Sequence, residues 1–536
     1  IYTGEDTLSL HDALPIFDPA DADRLLRSAA LRSSDKQQKK HLENIYFDTP
    51  DGQLQAGLIG LRLRRDGDNW LQTLKGGGGT VGGLHSRQEI EYPVAGPHLD
   101  FSGLAGTPWA KYFKPTLAAS LRPVFHTDFH RVIRLVRLDD AEIEVALDRG
   151  EIRAGEASEP ICEIELELKS GSVTTLFELA RQLLEIAPLR LENASKAERG
   201  YRLAAGSPAI IPVKATPIAI GADISLRDGF LTVAQAMLGH WQANEHGFLT
   251  QPDNLEFLHQ IRVAVRRLRA WFSQFGPELL PRDDLAWFRT ELRWVGNGLG
   301  AARDWDVLHS EILPDALAQF EQHPGQAALQ HFADLAASDA RQAAQAMLLS
   351  TRYQALVLAL GRQFALLSHT VVGGPLQQYV QSALAEIDGL LRKRLARIDR
   401  LNAHGLHRLR ILVKRQRYLL EASAELFHGK RFEAYLGWLR DWQQQLGSRN
   451  DLTLAANHLK SLRTMAGTLD EAELCGLLQG LVQAGQHVAP DPLALFVDGD
   501  ALAAQDRLLG LAHPAKVARK RELIVELRTQ ESVLQG

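Results

Sequence analysis

Along Ile161–Lys169, ICEIELELK, the residues Glu163, Glu165 and Glu167 alternate with Ile164, Leu166 and Leu168. A period of two marks a β-strand with one polar and one apolar face. The same alternation recurs upstream. Leu58–Arg65 sets Arg62 and Arg64 against Leu61 and Leu63, and Trp70–Lys75 puts Leu71, Thr73 and Lys75 on one face. Arg87–Tyr92 groups Arg87, Glu89 and Glu91, and Ala141–Asp148 aligns Glu142, Glu144 and Asp148 opposite Ile143, Val145 and Leu147. Phe129–Leu138 carries Arg131, Arg134 and Arg137, whose facing the alternation leaves open. Gly, Asp and Pro turns separate these segments, and helices are expected from Phe17 and over roughly 172–186.

The acidic face of the 161–169 strand has an energetic cost. Same-face neighbours on a strand sit roughly 7 Å apart, so each carboxylate pair repels by roughly 2–3 kcal/mol at an effective dielectric near 20. Water screens that repulsion on an open sheet, which is one reading of the pattern. Charges of both signs on consecutive antiparallel strands fit a closed barrel with a polar lumen better. Such a lumen suits a polyanion and a divalent metal: arginine and lysine neutralise phosphate oxygens, and carboxylates hold a hard cation such as Mg²⁺. The glycine run Gly76–Gly83 is expected to be a hairpin connection. No Gly-Lys-Ser/Thr follows it and no helix opens there, so a phosphate loop is excluded.

Residues 206–222, GSPAIIPVKATPIAIGA, break the pattern, and from about 223 long Leu/Ala-rich helical periodicity replaces alternation. Two stretches of that half repeat. In HQIRVAVRRLRAWF, His259, Arg262, Arg266 and Arg269 step by three, four and three along one helix face, opposite Ile261, Val265, Leu268 and Phe272. In HRLRILVKRQRYLL, His407, Arg410, Lys414 and Arg417 step identically, and Arg267 corresponds to Arg415. About forty residues after each histidine comes a second match, LGAARDWD (Leu299, Gly300, Arg303, Asp304) and LGSRND (Leu446, Gly447, Asn450, Asp451). Paired matches imply an internal duplication of a helical unit. A four-cation stripe without interleaved acids is either solvated, paired with a neighbouring helix, or built to meet an anion; its duplication favours the anion, and the absence of interleaved aromatics favours phosphate contact over base stacking.

The expected organisation is α+β and multidomain: a leader at 1–16, an antiparallel β-barrel tunnel at 17–205, a linker at 206–222, and an all-α bundle at 223–536 with repeats at about 223–370 and 371–536. Residues 1–16, IYTGEDTLSLHDALPI, fit no strand or helix pattern, resemble translated sequencing adapter, and are expected to be non-native. The formal net charge of −5 over 536 residues removes a chain-wide basic field, which disfavours nucleic acid as a partner. Two cysteines, Cys162 and Cys475, make a disulfide framework improbable and a reducing cytoplasm the natural home. No apolar run reaches the roughly 18 residues of a membrane span.

The first half resembles the CYTH domain, the triphosphate tunnel metalloenzymes, through YFDTPDG at 46–52, GLRLRR at 60–65, LQTLKG at 71–76, GGLHSRQE at 82–89, ICEIELELKSG at 161–171 and SKAERGYRL at 195–203. The second half resembles the CHAD domain through the two duplicated motif pairs, and the tandem order resembles bacterial inorganic triphosphatases. The resemblance implies a tunnel of eight antiparallel strands that hydrolyses inorganic tripolyphosphate to pyrophosphate and phosphate with Mg²⁺ or Mn²⁺. It places Arg62, Arg64, Lys75, Arg87, Arg131 and Lys196 on the phosphates, with Lys75 and Arg131 catalytic, and Asp148, Glu163, Glu165 and Glu167 on the metal. For the helical half it implies binding of long-chain polyphosphate, by His259, Arg262, Arg266, Arg267, Arg269, His407, Arg410, Lys414, Arg415 and Arg417. The alternatives are thiamine triphosphate hydrolysis or ATP cyclisation in the same tunnel, or a polyphosphate-binding scaffold without turnover. The family opens with a strand bearing Glu-x-Glu-x-Lys, which residues 1–40 lack. A seven-stranded barrel with an open seam, weak or inactive, is therefore expected.

Overall fold

The computed structural model describes residues 7–10, 14–32, 37–81, 84–206, 210–221, 223–320, 322–368, 373–427 and 430–488. Strands β1 (Thr7–Leu10), β2 (Leu14–Ile16), β3 (Gln38–Asp48), β4 (Ile59–Asp66), β5 (Asn69–Val81), β6 (Leu84–Val94), β7 (Arg122–Leu138), β8 (Ala141–Ala154), β9 (Ala157–Ser170) and β10 (Arg190–Glu192) form one antiparallel sheet. Its order β1-β6-β5-β4-β3-β7-β8-β9 returns to β1, so eight strands close a ring, while β2 and β10 extend it beyond β9. Tight connections drive the meander. Asp139 and Asp140 alone join β7 to β8, and Asp139 takes φ +52°, a left-handed conformation that Asp tolerates.

Two expectations are corrected here. The seam is not open: Thr7–Leu10 fills it, Thr7 and Ser9 pairing with Arg87 and His85 on β6, and Ser9 and Leu10 with Glu167 and Leu166 on β9. Ladder hydrogen bonds come from backbone groups that every non-proline residue carries, so a strand lacking the family motif still satisfies both edges. The tetraglycine Gly76–Gly79 is not itself the connection: it lies in β5, where Gly79 pairs with Ser86 after a register shift, because strand pairing needs no side chain, and Gly82 and Gly83, between Val81 and Leu84, lie outside the described residues.

Short helices α1 (Ala22–Arg27), α2 (Gln53–Ala56) and α3 (Pro115–Ser120) lie in the connections between strands. Helix α4 (Val173–Ile186) starts at Ser172, whose hydroxyl accepts the Thr174 amide, and buries Leu176, Phe177, Leu179, Ala180, Leu183 and Leu184. These cover the outward apolar faces of β8 and β9, including Ile143, Val145, Ile164 and Leu166. Each such aliphatic side chain contributes roughly 1.5–3 kcal/mol when fully buried. Helix α5 (Lys196–Ala204) begins at a capping box, Ser195 and Glu198 bonding each other's amides. It enters one end of the barrel, because Gly200 lies against the Phe125 ring: a Cβ there would come within 2.1 Å of it. Leu42, Tyr46, Phe125, Phe129, Ile152, Ile161, Tyr201 and Leu203 then form an apolar floor.

The helical half comprises α6 (Leu226–Thr250), α7 (Leu255–Leu279), α8 (Arg282–Val307), α9 (Leu313–Leu317), α10 (Gln326–Leu349), α11 (Thr351–Ser368), α12 (Leu376–Leu395), α13 (Ala403–Ala422), α14 (Lys430–Met465) and α15 (Leu469–Val488). The starts of α6 and α12 lie side by side, the Leu226 amide donating to Gly374 O at 3.0 Å and the Leu376 amide to Ile224 O at 2.8 Å. Helices α7 and α13 therefore meet as equivalent members of two units, each followed by its partner α8 or α14. Helix α11 packs on α4, so barrel wall and bundle share one hydrophobic core. Gln354 seals the join: its Oε1 accepts the Leu191 amide at 2.9 Å and its Nε2 donates to Leu348 O at 2.7 Å.

Candidate active site

Strand register sets one charged group from each of three adjacent strands at one level of the lumen. Arg131 on β7 lies opposite Asp148 on β8, and Asp148 lies opposite Glu163 on β9. Period two carries Glu165 onto the same side. The Arg131 guanidinium donates to both Asp148 oxygens, at 2.7 and 2.6 Å, and to Glu165. Lys196, at the start of α5, places its Nζ 2.8 Å from Asp148 Oδ2, 2.7 Å from Glu165 Oε1, and in contact with Glu163. One turn on, Arg199 donates to Glu163 at 3.0 Å and Glu159 at 2.6 Å. Asp148 and Glu163 are fully buried. Three carboxylates thus meet three cations.

The charge states follow from this balance. Burial opposes the charge of Lys196, but Asp148, Glu163 and Glu165 outweigh it and hold the ammonium above the ordinary lysine range. Burial lifts Glu163 to about 7, against the pull of Lys196 and Arg199. Asp148, Glu163 and Glu165 each offer an oxygen within 4.8 Å of the others. The donors are all hard oxygens, and one ammonium nitrogen already lies within ion-pair reach of all three. The donor set fits a hard divalent ion such as Mg²⁺ or Mn²⁺.

The opposite wall is cationic. Arg62 bonds Tyr46 Oη at 3.4 Å and lies 3.7 Å from Glu89 and 3.9 Å from Glu91; Lys75 pairs with Glu89 at 3.0 Å. Arg64 donates to Asn44, which donates to Thr127. Burial, with Arg62 and Arg131 nearby, pushes Arg64 down to about 10. Arg87 pairs through its backbone with Thr7, but its side chain lies outside the described residues. Glu167 does not join the carboxylate group: it sits one pleat further along β9 and pairs with Lys169 at 2.7 Å. The ambiguity of β7 is resolved, since Arg134 turns outward to the carbonyls of Leu26 and Leu31 and Arg137 pairs with Glu142, leaving Arg131 inside. Arg199 escaped the sequence reading, although it stands three residues after Lys196, on the same helix face.

In the bundle, the stripes of α7 and α13 face the second repeated motifs. Arg262 lies 3.8 Å from Asp304 and Arg410 3.9 Å from Asp451. The acids absent from the stripes therefore come from α8 and α14. They do not balance the cations: Arg262 Nη1, Arg266 Nε and Arg410 Nε are buried without a hydrogen-bond partner among the described residues. Burial, then Arg410, Arg266 and Arg262 against Asp451, lowers Lys414 to about 7. Burial and Arg303 also lower His259. Gly300 leaves room for the Arg262 guanidinium, whose Nη1 would be 3.0 Å from a Cβ. Arg269 lies along α8 beside Gly296, His407 is exposed, and Arg417 is paired with Glu421 at 2.8 Å. Arg267 and Arg415, one residue off the stripes, line the contact between α7 and α13.

A closed eight-stranded barrel with a buried acid–base lumen, fused to a duplicated helical bundle, defines a two-part architecture. Residues 16–201 match the CYTH domain and residues 232–460 the CHAD domain, and the chain contains both. Over 166 residues it is 40% identical to the inorganic triphosphatase of Haemophilus influenzae, covering 31% of this chain and 47% of that protein. Over 302 residues it is 29% identical to an uncharacterized protein of Mycobacterium tuberculosis, covering 52% and 54%. The chain thus spans about half the length of these curated relatives. The CHAD domain structure from the plant Ricinus communis aligns at 31% identity and a TM-score of 0.49, covering 56% of this chain and 98% of that one.

Proposed function

We propose that the barrel binds an inorganic triphosphate and hydrolyses it to pyrophosphate and phosphate with Mg²⁺ or Mn²⁺, and that the helical half binds longer polyphosphate. The observation carrying this reading is the buried Asp148–Glu163–Glu165 group facing Arg62, Arg64 and Lys75 across one closed lumen. The 40% identity of the barrel region to a protein named inorganic triphosphatase supports it. The division proposed is a catalytic barrel at 17–205, a linker at 206–222 and a polyphosphate-binding bundle from 223.

Asp148, Glu163 and Glu165 would hold the divalent ion, which when bound supplies a Lewis acid for a phosphoryl oxygen and lowers the pKa of a coordinated water. The remaining work belongs to the chain. Arg62, Arg64 and Lys75 align the phosphates and neutralise their charge. Lys196 and Arg131, fixed beside the carboxylates, meet the charge that develops on the transferred group. The apolar floor under α5 keeps water from that end. In the bundle, the incompletely paired Arg262, Arg266, Arg410 and Lys414 meet phosphate oxygens.

A second reading, binding without turnover, is favoured by one feature: Thr7–Leu10 at the seam carries no carboxylate and no cation. The deciding measurement is phosphate release from tripolyphosphate, with and without Mg²⁺ or Mn²⁺. It compares this chain, its Glu165→Ala variant, and a form whose residues 1–16 are replaced by a strand bearing Glu-x-Glu-x-Lys. Metal-dependent release, faster with the replaced strand and lost with Glu165→Ala, supports the enzyme. Retained polyphosphate binding with no release from any form supports the scaffold.

A further inference from the structure

The lumen has two charged walls, and β3 separates them. Arg131 and the carboxylate group stand on β7, β8 and β9, while Arg62 and Arg64 stand on β4 and Lys75 on β5. In the ring, β3 lies between β4 and β7. Its residues Gln38, Lys40, Leu42, Asn44 and Tyr46 share one face. That face is the inner one: Leu42 and Tyr46 belong to the apolar floor, and Asn44 accepts from Arg64 and donates to Thr127. Of these five residues only Lys40 is charged. Register sets it directly opposite Arg131, one step above the Leu42–Phe129 pair of the floor. On its other side Lys40 Nζ pairs with Asp66 at 2.7 Å, and Asp66 is the next lumen-facing residue of β4 after Arg64. Lys40 therefore joins Arg131 and Arg64 into one arc of cations on three adjacent strands.

The position of that cation along the lumen matters. The floor and α5 fill one end, so a ligand enters from the other, where β3 starts and β4 ends. Asp66, the last residue of β4, draws Nζ toward that rim. The Lys40 side chain is 37% exposed, against 25% for Lys75 and 11% for Arg62 and for Arg131. It is thus the outermost of these four. Lys169 lies at the same end but is held by two carboxylates, Glu144 at 3.5 Å and Glu167 at 2.7 Å. The rim therefore has an acid-rich side on β8 and β9, and a side on β3 where a lysine has Asp66 alone as its ion-pair partner among the described residues. An ion pair this open to water contributes little and exchanges readily, so a phosphate oxygen can take the place of Asp66.

We propose that Lys40 is a specificity-determining residue that binds the outermost phosphate of a triphosphate, so that the lumen distinguishes three phosphates from two. This rests on the reading of the lumen as a triphosphate site. The deeper cations hold the inner phosphates of either ligand, and only the longer chain extends to Lys40. Asp66 covers Lys40 while the lumen is empty and repels the incoming anion, so removing Asp66 and removing Lys40 act in opposite directions.

The test is calorimetric titration of the full chain with imidotriphosphate and imidodiphosphate, hydrolysis-resistant stand-ins for tripolyphosphate and pyrophosphate, in the presence of Mg²⁺. All forms carry Arg262→Ala and Arg410→Ala, so that the helical seam competes little. Lys40→Met is expected to weaken the triphosphate analogue about tenfold and to leave the diphosphate analogue within about twofold. Asp66→Asn is expected to tighten the triphosphate analogue about threefold, and Lys40→Arg to keep the preference for it. Lys39→Met removes the same charge one residue away, on the outer face, and is expected to change neither affinity. The proposal is overturned if Lys40→Met weakens both ligands alike or neither, or if Lys39→Met reproduces its effect. Arg64→Met separates this failure from that of the wider reading. If Arg64→Met weakens both ligands while Lys40→Met weakens neither, the lumen binds phosphate without Lys40. If Arg64→Met also changes nothing, the lumen is not the phosphate site and both readings fall.

Discussion

The barrel lumen and the helical seam use the same residue types to opposite effect. In the lumen, Asp148, Glu163 and Glu165 face Arg131, Lys196 and Arg199, and the acids raise the pKa of Lys196 and Arg131 despite burial. In the seam, Asp304 and Asp451 stand against Arg262, Arg266, Arg410 and Lys414. Burial and neighbouring cations there lower Arg262 to about 10 and Lys414 to about 7. The lumen is a balanced site, in which each ion leaves its partner only when another of like sign replaces it. The seam holds a standing excess of positive charge, which draws anions from a distance and is relieved when one binds. A site that exchanges ions and a site that collects them differ in the ratio of acids to bases rather than in their kinds.

Removing one member of the balanced set breaks the comparison most strongly. Lys196→Met leaves three buried carboxylates facing two cations and is expected to destabilise the chain by about 3–5 kcal/mol in urea titration. A loss under about 1 kcal/mol would show that the lumen is already solvated. The seam should behave in the opposite way. The double change Arg262→Ala with Arg410→Ala is expected to weaken binding of long-chain polyphosphate by about 100-fold, or roughly 1–1.5 kcal/mol per charge-assisted contact, while the urea midpoint stays near that of the parent. An equal fall in stability would mean that the seam is structural.

Acidity sharpens the contrast. Lys414 titrates at about 7 in the folded chain, below the ordinary lysine range. Between those values the unfolded chain holds a proton that the folded chain lacks, so the stability contributed by Lys414 rises with pH across that window. Bound polyphosphate restores the charge, so binding takes up a proton, and affinity falls as pH climbs above 7, by at most tenfold per unit. Calorimetry in buffers of different ionisation enthalpy reads that uptake directly, and Lys414→Arg is expected to abolish it. The smallest effect is in salt dependence. Arg266→Gln is expected to reduce the slope of log affinity against log salt by about one for polyphosphate, since one fewer phosphate charge is neutralised. An unchanged slope places Arg266 off the path of the chain.

Much of the molecule is legible in the periodicity of its sequence. Alternation assigned the faces of β4, β5, β8 and β9, because the outward face is apolar while the lumen face takes the charged and polar side chains, and a one-residue slip would reverse every one of them. The three-four-three spacing placed His259, Arg262 and Arg266 on one helix face, and the matching run from His407 revealed the duplication. What periodicity supplies is direction; it supplies neither height along a strand nor the identity of a neighbour. Strand register alone decided that Asp148, Glu163 and Glu165 gather while Glu167 stands apart, and that Arg131, not Arg134 or Arg137, enters the lumen. The docking of α5 added Arg199, helix packing brought Asp304 and Asp451 to the stripes, and the crossing of α7 with α13 brought Arg267 and Arg415 to one contact. Backbone pairing closed the seam with a strand whose side chains gave no hint of it. Local spacing is set by the geometry of a single element and can be read residue by residue. Which elements touch, and at what level, is set by burial summed over residues far apart in the chain, and only the folded structure decides it.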